Sequence, residues 1–494
     1  MATKWVRVPY TLALVIVGLV ISPMHFLPVV HISPDLILLI FLPALLFEAA
    51  WNLKLDQLRR NLLPILLLAV PGVVLTTAVI GLILHLGLGL AWHPALLFGA
   101  MISATDPVSV LALFKKLNLP ERLSTIVEGE SLLNDGTAVV VFRIILGAGV
   151  GASADFGGLA LNSVREFVVV VAGGIAAGAV VGLLASFLTA YFDDHLLEIT
   201  LTTISAYGSF LLAESIHVSP VIAVLATGLL IGNYGRVTGM SPPTQVAVNS
   251  FWEYAAFVVN SLVFLLIGLE IQVTTLAEQF WPVAWGVAAM LAARLVSVFL
   301  LVPVGNLLGE SVPPRWQTVL FWGGLRGSLS IALVLSLPVN VPGRAQLVTM
   351  IFGAVIFSLL AQGLSIGALL RLLKFSTLEP RGREQELVEG RILANAASIA
   401  ELRAMRNRGD ITASVFEALE GDLAREGERL QALHIADEEL EQRQLTRARR
   451  HLLAVRKTRL ADLFREGMLS EEVHHELRQE LDWDQAGVGH ESDQ

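Results

Sequence analysis

Ser103 to Arg143 reads SATDPVSVLALFKKLNLPERLSTIVEGESLLNDGTAVVVFR, two apolar segments that each carry carboxylates where a lipid-facing helix should have none. Asp106 sits in the first, followed at once by Pro107. Glu130 and Asp135 sit in the second, with Ser131 and Asn134 between them. A carboxylate in the hydrocarbon layer costs several kcal/mol unless it is paired, hydrated or bound to a cation, so such residues mark an ion or proton path. The residue before a proline is biased away from helical geometry, and the proline donates no hydrogen bond. The first segment is therefore expected to break at Thr105-Asp106, freeing backbone groups beside a carboxylate. In the second segment, positions four apart share a helical face. Glu130 and Asn134 are expected on one face and Ser131 and Asp135 on the overlapping one, all toward one cavity. Oxygen-only ligands suit a hard cation, and the absence of Cys or clustered His excludes thiolate zinc or copper sites.

The chain around this stretch is a membrane protein. Of its 494 residues, 54% are hydrophobic and only 16% charged, with a mean hydropathy of +0.68; a soluble chain carries nearer a quarter charged residues. Apolar runs measured against the roughly 20 residues that span a bilayer give about twelve segments. They fall near 6–22, 34–52, 62–89, 94–114, 122–147, 164–191, 196–213, 217–233, 250–270, 281–308, 316–338 and 346–372. The first run lacks a cleavage pattern and leads into another membrane segment. Lys4, Arg7, Lys54, Arg59, Arg60, Lys115, Lys116, Arg122, Arg236, Arg315, Arg371 and Lys374 fall on one side if the segments alternate, which predicts cytoplasmic termini. Residues 375–494 carry 17 of the 34 Lys and Arg and 25 of the 43 Asp and Glu. The expected organisation is therefore a transmembrane domain over 1–374 and a cytoplasmic helical regulatory tail over 375–494. In that tail, residues 411–435 and 445–481 read as amphipathic helices. A basic cluster from Arg447 to Arg459 suits a solvated face or an anionic leaflet.

A second interruption, Trp322-Gly-Gly-Leu-Arg326-Gly327-Ser328, matches the first. Paired interrupted segments are the sequence mark of inverted-repeat transporters, whose site lies at their crossing. Their offset of seven segments leaves the first repeat one helix short. Arg294 and Arg326 each need a partner within the membrane, and each is expected to neutralise a carboxylate. The expected arrangement ties Glu130 to Arg294 and leaves Asp135 free to exchange cation for proton. Glu48 and Glu253 read as interfacial carboxylates, and Asn260 as either an interhelical hydrogen-bonding residue or a site residue. Gly174, Gly178 and Gly182 form a close-packing stripe. His85, His93 and His217 read as interfacial. A serine hydrolase built on Ser131 would need a histidine in mid-membrane, and none lies at a segment centre. A channel would need a multi-site filter, whereas one compact carboxylate site suits stepwise carrying.

Thr105-Asp106-Pro107, Glu128-Gly-Glu130-Ser131-Leu-Leu-Asn134-Asp135-Gly136, Phe251-Trp-Glu253, Leu266-Ile-Gly-Leu-Glu270 and Trp322-Gly-Gly-Leu-Arg326-Gly327 resemble the sodium/proton antiporters of the NhaP and NHE type, the cation:proton antiporter-1 family. The resemblance covers essentially all of residues 6–374. It implies an all-α polytopic fold with inverted repeats and two broken, crossed helices, assembled as a homodimer in the lipid bilayer of the cytoplasmic membrane. It also implies alternating-access exchange of Na+ or Li+ for H+, with K+ as the alternative cargo, and neither a bound cofactor nor a nucleic-acid partner. By the same match Asp135 is the shared cation and proton carrier. Asp106, Thr105 and Ser131 complete the Na+ shell, Asn134 holds the site, Glu130 and Arg294 form a structural ion pair, and Arg326 is the arginine of the second broken helix. The Asn134-Asp135 pair, in place of Asp-Asp, implies electroneutral exchange of one cation for one proton. Members of the family have a further helix before the Arg7-Val-Pro-Tyr10 segment, in agreement with the repeat offset.

Overall fold

The computed structural model describes residues 10–21, 36–117, 119–148, 156–189, 191, 194–270, 273–309, 311–375, 380–432, 460, 473 and 477. The predicted tail segment 445–481, apart from three single residues, and its basic cluster lie outside them, as do Lys4 and Arg7. The described residues are helical, with no strand among them. They belong to two compact units, Met1–Thr377 and Leu378–Gln494.

In the first unit, Leu62–Leu88, Val164–Thr189, His195–Ser215, Pro242–Glu270, Phe280–Leu307 and Arg344–Leu372 are long and apolar enough to cross a membrane, and Leu36–Asn52 and Pro220–Gly235 are shorter apolar helices. The segments that carry charge are of a different kind. Glu121–Ala148 is one continuous helix despite its four acidic residues. The predicted segments 94–114 and 316–338 are each two short helices: Trp92–Ser103 with Val108–Leu117, and Pro314–Trp322 with Ser328–Leu335. Two predicted boundaries differ by eight residues. The segment expected from residue 164 starts at Phe156, and the one expected from residue 250 starts at Pro242, because Pro242 and Pro243 open a polar first turn that needs no apolar side chains.

Glycine sets the closest helix approaches. A Cβ on Gly178 would strike the Ala223 carbonyl oxygen, and one on Gly174 would come within 2.7 Å of the Ser219 carbonyl oxygen. The predicted stripe is thus the seam between Phe156–Thr189 and Pro220–Leu230. Tyr10–Ile21 lies against Pro242–Glu270 in the same way, with Gly18 set on Gly268. Trp92–Ser103 is held down on Pro71–Leu88, where Gly99 faces the Thr77 backbone. This last contact anchors the helix that leads into the first break. Two polar cross-links between apolar helices come from indoles: Trp252 Nε1 donates to Thr202 Oγ1 at 3.1 Å, and Trp51 Nε1 to Asn249 Oδ1 at 2.5 Å.

The second unit contains a helical hairpin, Pro380–Arg408 and Ala413–Ala432. The chain reverses at Gly409, whose φ of +81° is a conformation that favours glycine. Across the hairpin Asn395 Nδ2 donates to the Leu423 carbonyl at 2.9 Å, and Arg406 stacks over Phe416 at 4.4 Å.

Candidate cation site

The helix Trp92–Ser103 ends at an extended Ala104, and residues 104–107 have no regular secondary structure before Val108–Leu117 begins. The first break crosses the second. Asp106 N–H donates to the Leu325 carbonyl at 2.8 Å, joining the two unwound segments backbone to backbone. The Asp106 carboxylate then accepts from Val108 N–H at 3.0 Å, capping the helix that restarts behind it. Opposite it stands Gly327. A Cβ there would overlap the Asp106 side chain, so glycine is the residue that lets the second break come this close.

Each break leaves carbonyls with no intrahelical donor. Arg326 supplies donors to the first: its Nη1 lies 2.7 Å from the Ser103 carbonyl oxygen and 3.0 Å from that of Ala104. Its own N–H donates to Ser358 Oγ at 3.0 Å. The expectation that Arg326 neutralises a carboxylate is therefore corrected. The C-terminal end of a helix carries partial negative charge, and here that pole is its partner.

The helix Glu121–Ala148 passes beside the crossing. Ser131 Oγ donates to the Thr105 carbonyl oxygen in a very short contact. Asn134 grips the same residue twice, donating from Nδ2 to Thr105 Oγ1 at 2.7 Å and accepting from Thr105 N–H at 3.3 Å. Asn134 thus holds Thr105 in its unwound conformation rather than facing the cavity. Glu130 also turns away. It lies in a forked ion pair with Arg294, whose Nη2 is 3.0 Å from Glu130 Oε2 while Nη1 meets Oε1. Arg294 Nη2 reaches the Leu320 carbonyl as well, at 2.8 Å, so the pair fastens the end of Pro314–Trp322 to the acidic helix. Both partners are buried. Of the four side chains expected to share a cavity, Ser131 and Asp135 line it, and Asn134 and Glu130 do not.

That cavity has a volume of about 350 Å³. Thr105, Asp106, Ser131 and Asp135 line it, and no hydrogen bond or ion pair engages Asp135 among the described residues. Glu48, Glu128 and Glu253 also line it, together with Lys115. The first and third of these read from sequence as interfacial, and Glu128 stood out only as part of a motif. The signal that could have found them is their spacing. Glu128 lies seven residues, two helical turns, before Asp135, and Glu253 seven before Asn260, so each marks the face of its helix that looks into the cavity.

An alanine at Gly327 is expected to raise the half-saturating sodium concentration about tenfold, the equivalent of ~1.4 kcal/mol. The added methyl displaces the Asp106 carboxylate from its cap. Sodium titrations of G327A in vesicles check this, and a wild-type value would mean that Asp106 does not contact the ion.

A sequence model described as sodium/hydrogen exchanger, transmembrane, matches residues 1–372. The Na(+)/H(+) antiporter ApNhaP of Aphanothece halophytica is 39% identical over 485 residues, covering 96% of this chain and 92% of that protein. The low-affinity Na(+)/H(+) antiporter NhaS1 of Synechocystis sp. is 39% identical over 476 residues, covering 94% and 90%. Among solved structures, the sodium proton antiporter MjNhaP1 of Methanocaldococcus jannaschii at pH 8 superposes with a TM-score of 0.61 at 20% identity, covering 76% of this chain and 95% of that one. This likeness extends to the fold. With two crossed, broken helices beside cavity-lining carboxylates, and with these matches over most of its length, the chain belongs to the sodium/hydrogen exchanger family.

Proposed function

We propose that this protein is a secondary active antiporter that exchanges Na+ or Li+ for H+ across the cytoplasmic membrane, with Asp135 as the shared site. The observation that carries the proposal is the contrast between two carboxylates five residues apart on one helix. Glu130 is neutralised by Arg294, while Asp135 faces the cavity without a hydrogen bond or ion pair. A free carboxylate can hold a proton or a cation but not both. A carrier that moves only when its site is neutralised therefore couples the two fluxes.

Asp106, Thr105 and Ser131 stand next to Asp135 as the other oxygen donors, a set suited to a hard monovalent cation. The Asn134-Asp135 pair puts one titrating carboxylate at this position, which favours one cation for one proton. The asymmetric placement of Lys and Arg supports cytoplasmic termini, and the family resemblance supports a homodimer. In this scheme the protein carries ions and transforms no substrate.

Purified protein in liposomes loaded with a pH-sensitive dye tests the proposal. External sodium or lithium is expected to lower the internal proton concentration, at a rate unchanged by a potassium/valinomycin clamp at zero potential and independent of the sign of the potential. A larger response to potassium than to sodium would overturn the cargo assignment. Acceleration by membrane potential would overturn electroneutrality.

A further inference from the structure

Serine hydroxyls on the helices of this protein are routinely satisfied by the carbonyl three or four residues back, a local bond available to any helical serine. Ser103 bonds Ala100, Ser209 bonds Ala206, Ser336 bonds Leu333, and Ser358 bonds Val355. Ser330 is an exception. It is fully buried, and its Oγ has no hydrogen-bond partner among the described residues. The cause is its position. It is the third residue of the helix Ser328–Leu335, so the carbonyls three and four residues back belong to Gly327 and Arg326, in the unwound break. The break that brings Gly327 onto Asp106 also frees this hydroxyl, and Ser330 lines the cavity that holds Asp106 and Asp135.

A second uncommitted group stands on another wall. Asn260, buried on Pro242–Glu270, lines the same cavity and makes no hydrogen bond among the described residues. It lies two helical turns beyond Glu253, which is exposed and lines the same cavity, so the row Glu253, Ala256, Asn260 leads along one helical face from an exposed residue to buried ones. Elsewhere in the interior, polar side chains are largely paired, as a membrane protein requires.

We propose that Ser330 and Asn260 supply neutral oxygens, a hydroxyl and a carboxamide carbonyl, to the dehydrated monovalent cation held at Asp106 and Asp135, and that they are specificity determinants for it. This rests on the exchange reading given above. One ionised carboxylate already meets the charge of a monovalent ion, and Asp106 and Asp135 supply two. A third would make the occupied site more negative and reluctant to release its cargo, whereas neutral oxygens add coordination without charge. Hard cations of different radius differ in the number and spacing of oxygens they demand. Ligands from two separate helices are therefore where sodium, lithium and potassium are told apart.

The test uses the full chain in detergent and in liposomes, comparing native protein with S330A, S330T, N260A and D135N. Two readouts are taken: sodium-, lithium- and potassium-dependent thermal stabilisation, which needs no transport, and the cation dependence of exchange. For S330A and N260A the expected result is a rise of about tenfold or more in the half-saturating sodium concentration in both readouts, with an altered sodium-to-lithium ratio and unchanged maximal rate. S330T, which keeps the hydroxyl, retains native sodium affinity. Lower maximal rate with unchanged cation affinity and ratio in the alanine variants would overturn the proposal, because it describes packing alone. Should S330A fail to fold, N260A decides by the same measures. D135N separates the two readings: cation stabilisation that survives in D135N would overturn the exchange site itself, whereas its loss there with native behaviour in S330A and N260A would overturn only the present proposal.

Discussion

Asp135→Asn is expected to abolish sodium-driven proton movement while leaving the protein folded and inserted. The substitution is nearly isosteric and removes one charge from a side chain that no hydrogen bond or ion pair engages among the described residues, so little structure depends on it. On the proposed mechanism, function depends on it entirely. An amide does not titrate between pH 5 and 9, so the variant offers no proton to exchange, and its carbonyl is a weak replacement for an anionic ligand. The loss should reach the detection limit, a factor of 10² or more if the missing charge is worth roughly 3 kcal/mol to the bound ion. Dye-loaded inside-out vesicles read the effect directly, with an unchanged elution profile in detergent as the folding control. Residual exchange above about a tenth of native would move the carrier role to Asp106, which faces the same cavity.

How much of this site could be read from sequence depends on whether its cause is local. Three carboxylates in apolar runs, Pro107 after Asp106 and the glycines around Arg326 each have a direct physical consequence along the chain, and they locate the two breaks to within a few residues. The helices follow from apolar length. The partner choices were not legible, because they are made across the fold. Arg326 could have met any carboxylate in the membrane. It meets the Ser103 and Ala104 carbonyls because the first break exposes them beside it. Asn134 was expected on the cavity-facing side of its helix and instead engages Thr105, which needs its backbone groups satisfied once the helix has unwound, while Ser131 both lines the cavity and donates to the Thr105 carbonyl. Glu48, Glu128 and Glu253 come from three helices far apart in sequence, and only their packing brings them to one cavity. Ser330 shows the same limit. Its free hydroxyl follows from the position of the break, but its place in the cavity wall follows from tertiary structure.

The ion pair between Glu130 and Arg294 should be the most sensitive structural point of the transport unit. Removing one member of a buried pair leaves an uncompensated charge and typically costs about 3–5 kcal/mol. Either Glu130→Ala or Arg294→Ala is therefore expected to lower the melting temperature in detergent markedly and to reduce the yield of folded protein. The two variants should separate by pH. A carboxyl left without its arginine can neutralise itself by binding a proton, so the deficit of R294A shrinks as the pH falls from 8 to 5. A guanidinium has no such recourse, so the deficit of E130A stays constant over that range, eased only by the Leu320 carbonyl that Arg294 also reaches. Replacing both at once, as E130L with R294M, removes the buried charges together and should recover more than half of either loss. Melting curves of the four proteins at the two pH values decide the matter. If E130A, which keeps the Arg294 grip on the end of Pro314–Trp322, stays near native while R294A and the double variant are equally destabilised, that grip is the stabilising element, and the second broken helix owes its position to that hydrogen bond rather than to charge neutralisation.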